Sequence, residues 1–454
     1  MPSRPFRERL GLHRPELRAW AMYDWAVSSV QTTIMVAVFP VYFVQVVASG
    51  LSASGASQRL AAANTVVAII VAVLGPVLGT LSDFLAAKKR FLGGFLLLGV
   101  AAVSGLFFVQ RGDLLLGTTL FVLTLVCASA STVFYEALLP HIARPDEVDR
   151  VSTGGYALGY VGGGVLLAAN LAWILKPSIV GLPTSSDPMS SAGTLPARLA
   201  FLSVAVWWLL FSIPLFRRVP EPAPLLAPNE PLAKALRTTL SQVADTIREL
   251  RRYRQALIML TAFLLYNDGI QTIIKMATAY GAEIGIGSRD LIAAILIVQF
   301  VGIPFAFLFG MVADRVGAKN SILVGLLVYV AISVLGYYMK TATHFYLLAF
   351  LTGMVQGGTQ ALSRSLFASL IPAYKSGEFF GFYSVFEKFA SIFGPLLFAL
   401  AIAITGESRL AILSVILFFV GGAVVLSLVN VEQGREVARQ AERASANAAS
   451  NVQR

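Results

Sequence analysis

The stretch Gly310-Met-Val-Ala-Asp-Arg-Val-Gly-Ala-Lys319 decides the fold of this chain. It follows a long apolar run, and a shorter copy, Gly79-Thr-Leu-Ser-Asp83 with a basic cluster after it, follows another apolar run near the N-terminus. In both copies a glycine allows two helices to approach closely, and an aspartate can pair with a helix N-terminus or an arginine. The repetition indicates that the chain contains two similar halves.

A second pair of matching segments is separated by nearly the same number of residues as the two motifs. Leu139-Pro140 and Ile371-Pro372 each close an apolar run, and they are offset by 232 residues, against 231 between the two motif aspartates. Many secondary transporters are built from internal structural repeats. The common offset therefore predicts that the two halves share one architecture.

The composition places the chain in a membrane. Of its 454 residues 57% are hydrophobic and 13% are charged, whereas about 25% of residues are charged in soluble domains. Twelve apolar runs are long enough to cross a bilayer as helices, which takes about 20 residues each. The predicted fold class is an all-α membrane protein, in which twelve transmembrane helices form two pseudo-symmetric six-helix bundles.

The basic residues orient these helices. Of 35 Lys and Arg residues, 25 fall in the segments on the side of the two termini and seven on the opposite side. The positive-inside rule then places both termini in the cytoplasm, in a multi-pass protein of the cell (inner) membrane.

Five segments follow from this topology. They are a basic N-terminus at 1–18, a six-helix bundle at 19–216, a cytoplasmic linker at 217–254, a second six-helix bundle at 255–430 and a cytoplasmic tail at 431–454. In the linker, apolar residues from Leu232 to Leu250 recur at spacings of three and four, which predicts an amphipathic helix on the inner surface. The tail is predicted as a helix to about Arg443.

The repeated motif resembles the signature of the major facilitator superfamily, which lies after the second span and again after the eighth. The first copy departs from it, with Phe84 and Ala87 where Arg and Gly are usual. The resemblance implies a gating function at the inner mouth for Gly79, Asp83, Lys88, Gly310, Asp314, Arg315 and Lys319.

Three further stretches carry a narrower resemblance. Trp20-Ala-Met-Tyr-Asp-Trp-Ala26, Tyr266-Asn-Asp-Gly-Ile-Gln-Thr272 and Gln356-Gly-Gly-Thr-Gln-Ala-Leu-Ser-Arg-Ser365 are similar to the "unknown major facilitator" branch, which is related to autophagy-linked vacuolar amino-acid effluxers of fungi. This resemblance extends over roughly residues 19 to 430. It implies secondary transport of an amino acid or a similar metabolite.

Seven ionisable side chains lie within the spans. Each costs about 2.5–3.5 kcal/mol at mid-membrane on insertion scales, so we expect them to face the bundle interior or a water-filled cavity, largely in pairs. Asp268 is nearest to mid-membrane and is predicted to bind solute or proton, unless it forms a structural pair with Lys275 or Arg364. The candidate pathway residues are Asp24, Glu136, Asn267, Asp268, Gln271, Lys275, Gln360, Arg364, Glu387 and Lys388.

Small and aromatic residues in the fifth span have simpler interpretations. Gly155, Gly159 and Gly163 recur every four residues, which predicts close helix packing. Tyr156 and Tyr160, together with Gln299 of the eighth span, could line a pathway, but core packing is the favoured interpretation for each.

Other functional classes fit less well. Metalloenzyme sites need clustered ligands, but the three histidines are scattered and Cys127 is the single cysteine, so we expect no enzyme, metal or cofactor. The expected partners are a small-molecule solute, a possible coupling proton and the lipid bilayer, with no nucleic acid and a monomeric chain. A channel or a receptor is an alternative class, and proton-coupled efflux of hydrophobic or drug-like compounds is the alternative within transport.

Overall fold

The computed structural model describes residue 8 and residues 10–452, except 52, 184–189, 223–251, 285, 287, 391–392, 395–396, 398–399, 401–403 and 405–407. Within these ranges every regular element is a helix. The predicted linker falls largely on 223–251, so its amphipathic helix lies outside the described residues.

The helices follow the apolar runs and extend past most of them by a few residues. The first half contains α1 (Pro15–Val47), α2 (Ala53–Phe84), α3 (Lys88–Gly105), α4 (Leu114–Ile142), α5 (Val148–Leu175) and α6 (Ser191–Arg218). The second half contains α7 (Arg254–Glu283), α8 (Ser288–Val316), α9 (Ala318–Tyr337), α10 (Ala342–Ser369), α11 (Ser376–Phe389), α12 (Ser408–Ser414) and α13 (Ile416–Ser427), and α14 (Val431–Val452) ends the chain. Two parts of α1, Val30–Ala37 and Phe43–Val47, are π-helical.

Among the described residues nine helices are long and apolar enough to cross a membrane, or ten if the bent pair Ile412–Ser427 and Val431–Ser445 counts as one span. The 28-residue helix α10 is not among the nine. Gln356, Gln360 and Arg364 of this helix line an internal cavity. Because these side chains are polar, they lower the mean hydropathy of a helix that packs within the bundle. The all-helical class is confirmed, and the count of twelve spans stays a prediction.

The helix contacts repeat between the halves. In the first half α3 packs against α4 and α6, and in the second half α9 packs against α10 and α13. The main contacts between the halves join α2 to α11 and α5 to α8. Helix α2 corresponds to α8 in the other half, and α5 corresponds to α11. Replacing each helix by its counterpart therefore turns the α2–α11 contact into the α5–α8 contact. The predicted internal repeat is thus present in the structure.

Both ends of the described chain lie at the same end of the bundle, here called the terminal end. Arg14, just before α1, donates from Nη2 to the carbonyl of Ile142 at 2.8 Å. At the other extremity, the carboxylate of Glu442 in α14 accepts the N–H of Ala373 in the α10–α11 loop at 3.0 Å. The tail helix therefore packs against the bundle, and it continues to Val452, beyond the predicted end near Arg443.

Candidate functional site

A cavity of about 480 Å³ lies between the two halves. This volume suits a small molecule. Its lining reaches from Arg364 and Asp24 near the terminal end to Phe345 and Met339 near the opposite end of the bundle. Both halves contribute polar lining residues, among them Asp24, Ser28, Gln31, Asn64, Thr132, Glu136, Gln271, Gln299, Gln356, Gln360, Arg364 and Glu387.

Arg364 of α10 closes the cavity toward the terminal end. The side chain is about 1% exposed, and its Nη2 atom lies 3.2 Å from Oδ2 of Asp24 in α1. Its Nη1 atom lies 3.9 Å from Oε1 of Glu136 in α4. The guanidinium therefore faces two carboxylates of the other half, as the sequence analysis required of a buried charge, although neither carboxylate is Asp268.

Ser152 of α5 fixes the position of this guanidinium. Arg364 donates from Nε to the Ser152 hydroxyl and from Nη2 to the Ser152 carbonyl, each at 2.9 Å. The same hydroxyl donates to the carbonyl of Ala361, one turn earlier in α10, at 2.7 Å. Ser152 thus connects α5 to α10 through three hydrogen bonds.

Three aromatic rings surround the guanidinium. Its central carbon lies 4.9 Å from the ring centroid of Trp20, 5.6 Å from that of Tyr135 and 4.5 Å from that of Tyr156. Tyr135 also donates its hydroxyl to Oδ2 of Asp24 at 2.6 Å. Cation–π contacts of this kind stabilise a desolvated cation.

Six of the predicted pathway residues lie at the cavity. Gln271, Gln360 and Glu387 line the cavity together with Asp24, Glu136 and Arg364. The side chains of Lys275 and Lys388 lie outside the described part of the chain. Tyr156, Tyr160 and Gln299 also line the cavity, and Tyr160 is buried as well.

Asp268 and its neighbour Asn267 do not line the cavity; both are about 1% exposed. Oδ1 of Asp268 accepts the N–H of Gly394 at 2.8 Å, which connects α7 to the segment after α11. Thr272, one turn later, borders the cavity and donates its hydroxyl to the Asp268 carbonyl at 2.7 Å. Asp268 therefore lies behind the cavity wall.

The two motif glycines lie where the halves meet at the terminal end. A Cβ atom at Gly79 of α2 would overlap the carbonyl oxygen of Gly377 in α11. A Cβ atom at Gly310 of α8 would overlap the hydroxyl of Thr153 in α5. Each copy of the motif thus contributes a glycine to one of the two symmetry-related contacts.

The aspartate of the second motif forms an ion pair across the halves. Nη1 of Arg150, at the start of α5, lies 3.3 Å from Oδ2 of Asp314. The Arg150 side chain is about 1% exposed, whereas that of Asp314 is 29% exposed. The side chain of Asp83 lies outside the described residues; Lys88 is buried and Arg315 is exposed.

The basic residues of the two motifs have a matching structural function. Lys319 donates from Nζ to the carbonyls of Ser427 and Val429, at 2.7 and 2.8 Å, at the end of α13. Lys89 donates to the carbonyls of Phe216 and Val219, at 2.9 and 2.6 Å, at the end of α6. Cations are favourable at helix C-termini because carbonyls there lack intrahelical partners.

Sequence reasoning missed four residues of this arrangement as site candidates, namely Trp20, Tyr135, Arg150 and Ser152. The motif quoted for the narrower resemblance contained Trp20, and Tyr135 directly precedes the chosen Glu136. No signal in the sequence distinguished Arg150 or Ser152 from other residues near a helix end.

Comparison with known proteins agrees with this architecture. Residues 60–439 match the family model described as "Vacuole effluxer Atg22 like". An uncharacterized MFS-type transporter of Bacillus subtilis, YxiO, is 36% identical over 423 residues, which cover 93% of this chain and 96% of that protein. Autophagy-related protein 22 of Yarrowia lipolytica is 27% identical over 320 residues, and the match covers 64% of this chain and 52% of the fungal protein.

Solved structures share the fold at low sequence identity. The MFS proton:xylose symporter XylE superposes with a TM-score of 0.66 at 13% identity, covering 92% of this chain and 95% of XylE. The MFS transporter FucP in its outward conformation gives a TM-score of 0.63 at 12% identity, with 93% and 99% covered. These relatives are transporters and not enzymes. The chain accordingly belongs to the Atg22-like vacuole effluxer family within the major facilitator superfamily.

Proposed function

We propose that this secondary transporter moves an amino acid or a related metabolite by alternating access. The cavity lies between two similar halves and is closed at the terminal end by contacts that cross from one half to the other. A rocking motion of one half against the other would open that end and close the opposite one. The proposal includes twelve spans, cytoplasmic termini and a monomeric chain in the cell membrane.

The observation that carries this proposal is the charged end of the cavity. Arg364, Asp24 and Glu136 meet there, and Glu387 borders the same space. Amide side chains of the second half, at Gln271, Gln299, Gln356 and Gln360, line the wall. Opposite charges at one end and neutral donors and acceptors along the wall suit a zwitterion such as an amino acid.

The carboxylates at this end of the cavity support coupling to protons. One guanidinium faces two carboxylates, those of Asp24 and Glu136, in a largely buried cluster. A buried carboxylate whose cationic partner moves away is costly unless it takes up a proton. We infer that one of these carboxylates takes up a proton during the transport cycle. Asp268 is the second candidate for that proton site.

Counterflow in proteoliposomes tests the proposed substrate. Vesicles containing the purified chain are loaded with a mixture of unlabelled amino acids and diluted into each labelled amino acid in turn. We expect transient accumulation of at least one labelled amino acid above the level in protein-free vesicles. Absence of exchange for every amino acid would contradict the proposal.

The alternative function is proton-coupled efflux of hydrophobic compounds. It is favoured by the apolar part of the cavity lining, which includes Val27, Met35, Ile273, Ile295 and Leu348. Efflux of a hydrophobic dye from the same vesicles, driven by a pH gradient and without amino-acid exchange, would establish this alternative.

A further inference from the structure

Among the described residues, the groups that contact the Arg364 guanidinium belong to the first half. Arg364 belongs to the second half, yet its hydrogen bonds, ion pairs and ring contacts with described residues all involve residues of the first half. These partners are Trp20, Asp24, Tyr135, Glu136, Ser152 and Tyr156, here called the cation cage. The first half thus forms a complete binding site for a cation, and the second half supplies the cation.

The cation cage is held together without Arg364. The Trp20 indole stacks on the Tyr135 ring at 4.4 Å and donates its N–H to the Tyr135 carbonyl at 3.0 Å. Tyr135 in turn holds the carboxylate of Asp24 through its hydroxyl. Because these contacts join α1 to α4 within one half, separation of the halves would not break them.

Gly155 provides the space on the remaining side. A Cβ atom there would lie 2.5 Å from Oδ2 of Asp24, 3.0 Å from the Trp20 ring and 3.2 Å from Nη2 of Arg364. Glycine at this position therefore leaves room for a planar cation beside the Asp24 carboxylate.

We propose that the cation cage also binds the guanidinium or protonated amine of an organic cation, with Arg364 as a tethered competitor. This inference rests on the proposed alternating access, because opening of the terminal end would withdraw Arg364 from the cage. The vacated site would contain two carboxylates and three ring faces, a combination that recognises substituted ammonium and guanidinium groups. Entry of the solute cation and departure of Arg364 then become mutually dependent.

The test removes the tethered cation and supplies a free one. Full-length Arg364→Ala is purified, and its melting temperature is measured with millimolar methylguanidinium chloride and with sodium chloride at equal ionic strength. We expect a saturable rise of at least ~2 °C with methylguanidinium only. The wild type serves as the matched control, and its melting temperature should respond equally to both salts because Arg364 fills the cage.

Two further variants locate the binding. The rise should disappear in Arg364→Ala combined with Glu136→Gln, which removes one cage carboxylate, and in Arg364→Ala combined with Gly155→Ala, which fills the cage. Should Arg364→Ala not fold, Arg364→Gln is assayed in the same way, since it fills most of the volume and can still donate to Ser152. A folded Arg364 variant that shows no specific rise, or shows the same rise in both double variants, would overturn the proposal. The assay measures no transport, so failure of amino-acid counterflow leaves its outcome unaffected.

Discussion

The Nη2 atom of Arg364 in α10 lies 3.2 Å from the Oδ2 atom of Asp24 in α1, although 340 residues separate the two in the chain. The contact joins the two halves at the charged end of the cavity, one turn of α10 beyond Gln360 on the wall. Together with the Arg150–Asp314 pair, it connects the solute cavity to the closed terminal end.

Enlarging Gly79 should prevent closure of the terminal end. In Gly79→Ala the new methyl group would overlap the Gly377 carbonyl, which belongs to a backbone that cannot rotate away. Accessibility is measured with a membrane-impermeant maleimide on Ser365→Cys, a buried position near Arg364, after replacement of the single native cysteine by Cys127→Ser. We expect labelling from the terminal end to be about tenfold faster, which corresponds to about 1.4 kcal/mol.

Two other glycine substitutions serve as comparisons for Gly79→Ala. Gly310→Ala should have a smaller effect, because the overlapping atom belongs to the Thr153 side chain, which can change rotamer. Gly94→Ala is the control, since nothing lies within 4 Å of a Cβ atom at that position in α3. Equal labelling in Gly79→Ala and Gly94→Ala would show that the α2–α11 contact does not control closure.

Loss of the Arg150–Asp314 pair should also favour opening of the terminal end. Asp314→Asn leaves the buried guanidinium of Arg150 without its carboxylate partner across the halves, and an uncompensated buried charge is destabilising. We expect roughly tenfold faster labelling of the same cysteine.

The control for this variant is Asp146→Asn. Arg150 donates to the backbone carbonyl of Asp146, a contact that the control preserves while removing one exposed negative charge. Unchanged labelling in Asp314→Asn would argue against a latch at this position.

The proton site is tested by neutralising single carboxylates. In Glu136→Gln we expect solute uptake to lose its response to a pH gradient, because the amide that replaces the carboxylate cannot take up the transported proton. Asp268→Asn should keep the response, since its amide oxygen can still accept the Gly394 N–H and the side chain does not border the cavity. The measurement is uptake with and without an imposed gradient, with exposed Glu436→Gln as control.

The reverse outcome is equally informative. Loss of the pH response in Asp268→Asn, with the response retained in Glu136→Gln, would assign the transported proton to α7. It would also imply that Asp268 communicates with the cavity through the adjoining Thr272.

The lysines of the two motifs should contribute similar stability. Lys319→Met and Lys89→Met each remove an ammonium that satisfies two carbonyls at a helix end. We expect each to lower the free energy of unfolding by about 1 kcal/mol, or the melting temperature by roughly 2 °C. Lys340→Met, at an exposed position before α10, is the control, and a loss in only one of the two variants would contradict the structural equivalence of the motifs.

The sequence by itself determined the class, the repeat and most helix limits. Hydropathy decides which segments enter a bilayer, because unpaired backbone groups in lipid force each apolar run into a helix. The repeated Gly-Asp-basic motif located the close contacts at Gly79 and Gly310, because a side chain larger than that of glycine would overlap the facing helix. The cost of burying charge selected seven side chains, among them Arg364, Asp24 and Glu136.

Only the tertiary structure decided which of these groups meet. A periodic pattern shows which residues share a face of one helix, but the partner of that face is set by how distant helices cross. Asp268 and Arg364 looked alike as intramembrane charges, yet the first accepts a backbone N–H behind the cavity wall and the second reaches into the other half. That difference arises from packing between helices hundreds of residues apart, which no local pattern encodes.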